Sequence, residues 1–197
     1  MVNKELEKAM IRKMKINIDT ITRASKELIG NIIRTPTIRS QHLSSEINGE
    51  VFLKLENLQY TSSFKVRGAY TSITRLKEDQ KKVGVIAMSA GNHAQAVAWW
   101  AKKERVNATI VMPEHAPLFK VMKTKSLGAD VILRGRTLNE SQTYVSELAN
   151  DKKLTLIHPY DDPNVVIGQG TLGLEFMEDI KDLDLLVIPI GGGGLIS

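Results

Sequence analysis

Apolar runs and helical periods alternate along most of the chain. Continuous apolar runs such as 83–88 and 108–112 are typical of strands buried on both faces, as in parallel sheets. Between them, segments such as 92–103 carry apolar residues at helical spacing. The pattern predicts strands at 51–55, 83–88, 108–112, 131–133, 154–157 and 185–190. It predicts helices at 19–28, 40–47, 63–76, 92–103, 117–127, 138–149 and 165–180.

This alternation predicts an α/β fold in which helices flank a parallel sheet. Asp19 and Asp162 each lie near the start of a helical period and are predicted to cap those helices. Residues 1–15 are rich in Lys, Arg and Glu, and we interpret them as a polar N-terminal extension. The sequence stops directly after a predicted strand and a glycine loop, where an α/β sheet needs another helix. We therefore expect it to be an N-terminal fragment of a longer chain.

The composition is that of an ordinary globular protein. Of the 197 residues, 42% are hydrophobic and 25% are charged, which argues against intrinsic disorder. No apolar run approaches the roughly 18 to 20 residues of a membrane-spanning helix, and no apolar secretion signal opens the chain. We expect a cytoplasmic protein with no membrane partner.

Charge and cysteine content exclude further classes of function. The net charge is +5, and five Lys or Arg against two Glu in residues 1–15 account for +3 of it. The remaining +2 is too small for a nucleic-acid-binding surface, so we expect no nucleic-acid partner. Because the chain has no Cys, it contains no disulfide, no thiolate metal site and no cysteine nucleophile.

The first chemical motif is the stretch SSFKVRGA at 62–69, in which Lys65 follows a polar loop and opens a predicted helix. The positive field at a helix start disfavours an ammonium group, so it lowers the pKa of a lysine there. A lysine with a lowered pKa can form a Schiff base or act as a base near neutral pH. An ordinary exposed lysine is the alternative, and Lys65 by itself does not decide between them.

The second motif is SAGNH at 89–93, which lies at the carboxyl end of an apolar strand and opens a helix. Ligands of open α/β sheets bind at this end, and free amides at a helix start suit a carboxylate. Ser89 and Asn92 are predicted to cap the helix, while Gly91 permits close approach of the backbone. A simple capped turn remains an equal alternative, and His93 alone is more typical of a structural residue.

The third motif is a glycine run, Gly191, Gly192, Gly193 and Gly194, followed by Leu195. Such a loop after a buried strand can direct several amides at one phosphate group. No lysine or hydroxyl residue follows in the P-loop pattern, which disfavours a nucleoside triphosphate. A flexible linker is the alternative, and the position after a buried strand favours the phosphate site.

Two weaker features lie between these motifs. The acids and histidine of HPYDDP at 158–163 could bind a metal ion, but two prolines are more typical of a rigid loop, so we predict no metal site. Gly168, Gly170 and Gly173 lie inside a predicted helix and indicate close packing against another helix or a cofactor. Packing against a helix is the favoured interpretation.

In their order along the chain, the three motifs resemble the fold-type II pyridoxal-phosphate enzymes. Val66 and Arg67 after the lysine, and the stretch HPYDDPNVVIGQGTLGLE at 158–175, are similar to the branch of serine/threonine dehydratases and serine racemases. The resemblance spans about 18–197 and implies parallel-sheet domains with flanking helices, like those of the tryptophan synthase β chain. It implies pyridoxal phosphate as the cofactor and favours a threonine dehydratase (threonine ammonia-lyase), which converts L-threonine to 2-oxobutanoate, or L-serine to pyruvate, with release of ammonia.

The resemblance also implies roles for individual residues. Lys65 would be the Schiff-base lysine and catalytic base, with Phe64 beside the cofactor ring and Asn92 at its hydroxyl oxygen. The substrate carboxylate would be held by Ser89, Ala90, Gly91, Asn92 and His93. The cofactor phosphate would be bound by the amides of Gly191, Gly192, Gly193, Gly194 and Leu195.

Ala90 separates the possible activities. In the racemases of this branch a serine occupies this place and acts on the substrate face opposite the lysine, so Ala90 favours dehydration over racemisation. A serine dehydratase or racemase, and a non-catalytic truncated fragment, remain the alternatives. Isoleucine biosynthesis and threonine catabolism both remain open as the pathway.

The resemblance further implies a domain division. Residues 16–77 and 158–197 would belong to a larger cofactor-binding domain, and residues 78–157 would form a smaller mobile domain. At full length the protein would be a homo-oligomer. Since the resembling enzymes are markedly longer, we expect residues 1–197 alone to be poorly soluble and to show only trace activity.

Overall fold

The computed structural model describes residues 16–197, so the predicted extension at 1–15 lies outside the described residues. The predicted α/β class is confirmed. The helices are α1 Ile18–Leu28, α2 Gln41–Ile47, α3 Lys65–Thr74, α4 Glu78–Val83, α5 Asn92–Lys103, α6 Leu118–Ser126, α7 Leu138–Lys152 and α8 Pro163–Asp179, with a short 3-10 helix at Glu56–Leu58. The strands are β1 Thr37–Arg39, β2 Phe52–Lys54, β3 Val85–Met88, β4 Ala108–Met112, β5 Asp130–Leu133 and β6 Thr155–Leu156.

Four strands form a parallel sheet in the order β5-β4-β3-β6. In the two central strands, Val85, Ile86 and Ile110 have no exposed surface. Helix α5 lies against this sheet and buries Val97 and Trp100 in the main core. The continuous apolar runs at 83–88 and 108–112 therefore contain the strands that are covered on both faces, as predicted.

The first predicted strand belongs to a separate sheet. β2 pairs with β1 in an antiparallel ladder, in which Ile38 lies opposite Leu53. The predicted parallel sheet does not include this pair, and the twelve residues 40–51 that join the two strands contain α2. Among residues 16–197, no helix is long and apolar enough to cross a membrane.

The predicted strand at 185–190 is also absent from both sheets. This segment forms no ladder with any strand in the described part of the chain, and the side chains of Leu185 and Val187 are 77% and 84% exposed. A strand needs hydrogen-bonding neighbours, and an apolar run does not by itself provide them. The segment is thus apolar, but in the described part of the chain it is not a strand.

Of the helix caps predicted at Asp19 and Asp162, only the second is correct. Asp162 caps α8, since its Oδ1 accepts hydrogen bonds from the amides of Asn164 at 2.7 Å and Val165 at 3.3 Å. Helix α1 begins earlier than predicted, because Asn17 rather than Asp19 is its N-cap and accepts from the Thr20 amide at 2.9 Å. Asn17 is the cap because Thr20 Oγ1 accepts a hydrogen bond from the Asn17 amide in return, which completes a capping box.

Helices α3 and α8 cross in backbone contact at two glycines. A Cβ on Gly168 would lie 2.5 Å from the Arg67 carbonyl oxygen, and a Cβ on Gly68 would lie 2.5 Å from Gln169 Nε2. The prediction that Gly168 marks close helix packing is confirmed, and a Cβ on Gly170 would likewise meet Ile21 of α1 at 2.9 Å. Gly173 faces open space instead. The crossing places the first turn of α3 beside the loop that precedes α8.

Candidate active site

Lys65 is the first residue of α3 and is half-buried. Its Nζ donates a hydrogen bond to the carbonyl oxygen of Pro159 at 2.7 Å. Burial lowers the pKa of Lys65, which is the predicted direction, because the ammonium group loses contact with water. The ring of Phe64 lies beside the ammonium group, with 5.2 Å between Nζ and the ring centroid.

The SAGNH turn follows β3 and starts α5 with Gly91 as the N-cap. Contrary to prediction, no side chain caps this helix: Ser89 Oγ accepts from the Gly91 amide at 3.1 Å, and Asn92 is exposed in the first turn. A serine side chain can accept a hydrogen bond from the amide two residues later, and Ser89 does so with Gly91 instead of capping the helix. Helix-start amides therefore remain available for a ligand at this turn.

His93 is the buried member of the same turn. Its Nε2 lies 2.9 Å from the carbonyl oxygen of Ile157, which identifies Nε2 as the protonated nitrogen of the ring. Burial lowers the pKa of His93 to about 4, and the nearby positive charges of Lys65 and His158 add to this effect. His93 is thus a neutral ring that ties the SAGNH turn to the chain before α8.

The glycine run lies against Tyr160. A Cβ on Gly192 would overlap the Tyr160 ring at 2.1 Å, and a Cβ on Gly194 would lie 2.8 Å from Tyr160 Cα. Gly191 and Gly193 face open space, and Gly193 has a φ of +89°, which favours glycine. Within residues 16–197, the amides of 191–195 donate to no acceptor of the protein. A loop with free amides and two glycines open to its surroundings fits a phosphate group.

All three motifs therefore meet on residues 157–160. The SAGNH turn binds Ile157 through His93, Lys65 binds Pro159, and the glycine run packs on Tyr160. The sequence analysis predicted this segment to be a rigid loop rather than a metal site and included it in the family-like stretch 158–175. It gave no sign that the segment joins three distant motifs, since each contact spans many residues.

A second group of residues was missed entirely. Arg67 is fully buried two positions after Lys65 and forms ion pairs with Glu56 at 2.8 Å and Glu175 at 2.7 Å. The largely buried Lys54 binds Glu175 and Asp179, each at 3.0 Å. The sequence analysis used Arg67 only as part of the motif after the lysine, and no local pattern marked it for burial, since the predicted helix 63–76 also contains Lys65, Arg75 and several hydroxyl residues.

The other candidate residues lie around this centre. Ala90 packs against the main core with its methyl group. Phe64 and Leu195 line an apolar cavity of about 670 Å³ between β2, α8 and residues 183–189. This cavity does not include Lys65, so it adjoins the meeting point of the motifs rather than forming it.

Comparison with known proteins places the chain in a family. A family model described as pyridoxal-phosphate dependent enzyme matches residues 28–197. The chain is similar to L-threonine dehydratase catabolic TdcB of Staphylococcus aureus strain USA300, with 50% identity over 183 residues, which are 92% of this chain and 53% of that protein. It therefore spans about half the length of the curated relatives that it matches.

Solved structures show the same similarity. The processed form of threonine deaminase isoform 2 from Solanum lycopersicum shares 38% identity with a TM-score of 0.84, over 92% of this chain and 51% of that one. Serine racemase from Dictyostelium discoideum shares 36% identity with a TM-score of 0.86, over 92% of this chain and 59% of that one. Both confirm the fold implied by the sequence motifs.

Proposed function

Because this chain belongs to the family of pyridoxal-phosphate dependent enzymes, we propose that it acts in the dehydration and deamination of L-threonine, and of L-serine. The observation that carries the proposal is the meeting of Lys65, the SAGNH turn and the glycine run on residues 157–160. The name of the threonine dehydratase relatives supports the choice of substrate, and its word "catabolic" favours threonine breakdown over isoleucine biosynthesis.

Pyridoxal phosphate, the predicted cofactor, supplies an electron sink that stabilises negative charge at the substrate α-carbon. We propose that the Lys65 amine binds it covalently and that Phe64 packs beside its ring. Asn92 would contact the ring hydroxyl. The phosphate would be bound by the amides of Gly191, Gly192, Gly193, Gly194 and Leu195.

We further propose that the substrate amine would replace Lys65 on the cofactor, and that the Lys65 amine released in this way would move the proton that starts the reaction. Burial favours the neutral amine of Lys65, and a neutral amine can accept the α-proton of the substrate at Nζ. The amides and side chains of Ser89, Ala90, Gly91, Asn92 and His93 would hold the substrate carboxylate. The β-hydroxyl leaves as water, and hydrolysis then yields 2-oxobutanoate and ammonia from L-threonine.

The domain division and the assembly also remain proposals. All four strands of the parallel sheet lie within residues 85–156, which supports a smaller unit at 78–157. The His93–Ile157 hydrogen bond lies at the boundary of that unit, where its movement would open or close the SAGNH turn over the site. We propose a homo-oligomer for the full-length protein and a cytoplasmic location.

Racemisation is the competing activity, since the similar structures include serine racemases. Ala90 disfavours it, because a methyl group cannot transfer a proton to the second face of the α-carbon. The two activities differ in their products: a dehydratase forms a 2-oxo acid, and a racemase forms D-serine from L-serine.

The test uses the intact gene product that contains this chain. With added pyridoxal phosphate, we expect 2-oxobutanoate from L-threonine and a visible absorbance band from the covalent link, and Lys65→Ala should abolish both. Lys123→Ala, an exposed lysine on α6, is the matched control and should retain both. Turnover by Lys65→Ala at the parental rate would overturn the assignment, and D-serine formation comparable to pyruvate formation would favour the racemase.

A further inference from the structure

Arg67 uses every hydrogen-bond donor that a guanidinium has. Nε and Nη2 donate to the two oxygens of Glu56 at 2.9 and 2.8 Å. Nη1 and Nη2 donate to the two oxygens of Glu175 at 2.7 and 2.9 Å. The second donor of Nη1 binds Thr171 Oγ1 at 3.2 Å. Because all five donors bind two carboxylates and a hydroxyl, the Arg67 side chain is held in a single orientation.

Arg67 and these partners join three separate parts of the fold. Glu56 lies in the 3-10 helix after β2, Thr171 and Glu175 lie in α8, and Arg67 lies in α3. Thr35 Oγ1 donates to Glu56 Oε1 at 2.6 Å, which joins the segment before β1 to the same cluster. The cluster thus holds the first turn of α3 from the side of α8 and β2.

Buried ion clusters of this kind are poor devices for stability alone. Removing charges from water costs free energy, and well-packed apolar residues often stabilise a core as well or better. A bidentate cluster does fix direction, because it has one good geometry. Because Arg67 of this cluster lies in the same helical turn as Lys65, we expect the cluster to fix the orientation of that turn.

We propose that Arg67 is a positioning residue for Lys65, an inference that rests on the proposed function. The two side chains leave α3 about 200° apart around the helix axis, so the cluster anchors the side opposite the reactive amine. By fixing the rotation of the first helical turn, Arg67 keeps Lys65 Nζ at the Pro159 carbonyl, beside the SAGNH turn and the glycine run. Arg67 touches no reacting atom and acts only through Lys65.

The test compares Arg67→Lys with Arg75→Lys in the intact protein. Lysine keeps one positive charge at position 67 but cannot bind two carboxylates bidentately. Arg75 is the matched control, since it follows the last turn of α3 and pairs with Glu27 at 2.9 Å, far from Lys65 along the helix. Each protein is stripped of cofactor, and the rate of the visible absorbance change is measured after pyridoxal phosphate is added.

For Arg67→Lys we expect the covalent link to form at least about tenfold more slowly, because small displacements of a reacting group have effects of this size. The kcat for L-threonine should fall by a similar factor while KM changes little. Arg75→Lys should match the parent. All rates are compared at equal distance below each thermal midpoint, so that a loss of stability alone leaves them unchanged.

Two results would overturn the positioning role: a parental linking rate and kcat in Arg67→Lys, or an equal slowing in Arg75→Lys. If Arg67→Lys does not fold, Glu56→Gln replaces it, since the amide keeps an acceptor oxygen but weakens the pair, and the same outcomes decide. A parent protein that forms no absorbance band overturns the proposed function itself, whereas a normal parent with unaffected variants overturns the positioning role alone.

Discussion

Two basic residues lie two positions apart in α3 and have opposite electrostatic surroundings. Lys65 Nζ meets a main-chain carbonyl, and no carboxylate among residues 16–197 forms an ion pair with it. Arg67 meets two carboxylates that its guanidinium binds bidentately. Burial affects both residues, but only Arg67 has negative charges beside it.

The pKa values follow this difference. Burial lowers the pKa of Lys65 without opposition. Burial would also lower the pKa of Arg67, but Glu56 and Glu175 outweigh it and raise that pKa. For Glu175, burial would raise the pKa, and Arg67 and Lys54 together lower it instead. Without a carboxylate partner, burial favours the neutral form of Lys65, whereas two carboxylates keep Arg67 charged.

The largest expected effect is the difference in protein stability between substitutions of Arg67 and of Lys65. Arg67→Met leaves Glu56 and Glu175 buried without their main cation, so the free energy of unfolding should fall by about 3–5 kcal/mol. Lys65→Met removes an ammonium that is costly to bury, so the free energy of unfolding should stay equal or rise. Urea denaturation of the cofactor-free intact protein measures both, and equal losses would contradict the comparison.

The helix crossing that holds both residues is the next target. In Gly168→Ala the new Cβ would lie 2.5 Å from the Arg67 carbonyl oxygen, so α3 and α8 must separate, at a cost of about 1–3 kcal/mol. Gly173→Ala is the control in the same helix, where nothing in the described chain lies within 4 Å of the new Cβ. There the better helix propensity of alanine should stabilise the protein by about 0.5–1 kcal/mol. Thermal melts of the two variants should therefore shift in opposite directions.

Acid should weaken the ion pairs of Asp179, which Lys54 links to Glu175 of the Arg67 cluster. Burial alone would raise the pKa of Asp179, but hydrogen bonds from Thr37, Arg34 and Lys54 lower it from 3.8 to about 2. Because the folded pKa is below the unfolded one, the stabilisation is present above pH 3.8 and is lost as the pH falls toward 2.

Asp179→Asn tests this assignment through the pH dependence of the melting temperature. The parent protein should lose more stability than the variant between pH 4 and pH 2. Asp151→Asn changes an exposed residue whose side chain has no hydrogen bond or ion pair within residues 16–197, so it serves as the control and should keep the parental slope. A parental slope in Asp179→Asn would contradict the assignment.

The smallest expected effect concerns the second face of the substrate. Ala90→Ser adds a hydroxyl to the SAGNH turn, and a hydroxyl can exchange a proton where a methyl group cannot. We expect trace D-serine from L-serine in the variant and none in the parent, with 2-oxobutanoate formation from L-threonine reduced but present. Chiral chromatography of the products measures this, and substantial D-serine from the parent would contradict the role of Ala90.

Local patterns determined much of this protein. The apolar runs located the four parallel strands, Asp162 marked the start of α8, and Gly168 marked a close helix contact. The order of the lysine, SAGNH and glycine motifs indicated the family and its cofactor. Each of these signals works over one or two turns of chain, because caps, periods and glycine contacts depend on near neighbours.

Tertiary structure decided what these local elements do to one another. In the described chain the predicted strand at 185–190 has no hydrogen-bonded neighbour, and burial lowers the pKa of Lys65. The partners that set the chemistry lie far away in sequence: Lys65 and Pro159 are 94 residues apart, and Arg67 and Glu175 are 108 apart. The spacing of apolar residues along the chain does not predict such distant pairs. They form only when the helices pack together and exclude water.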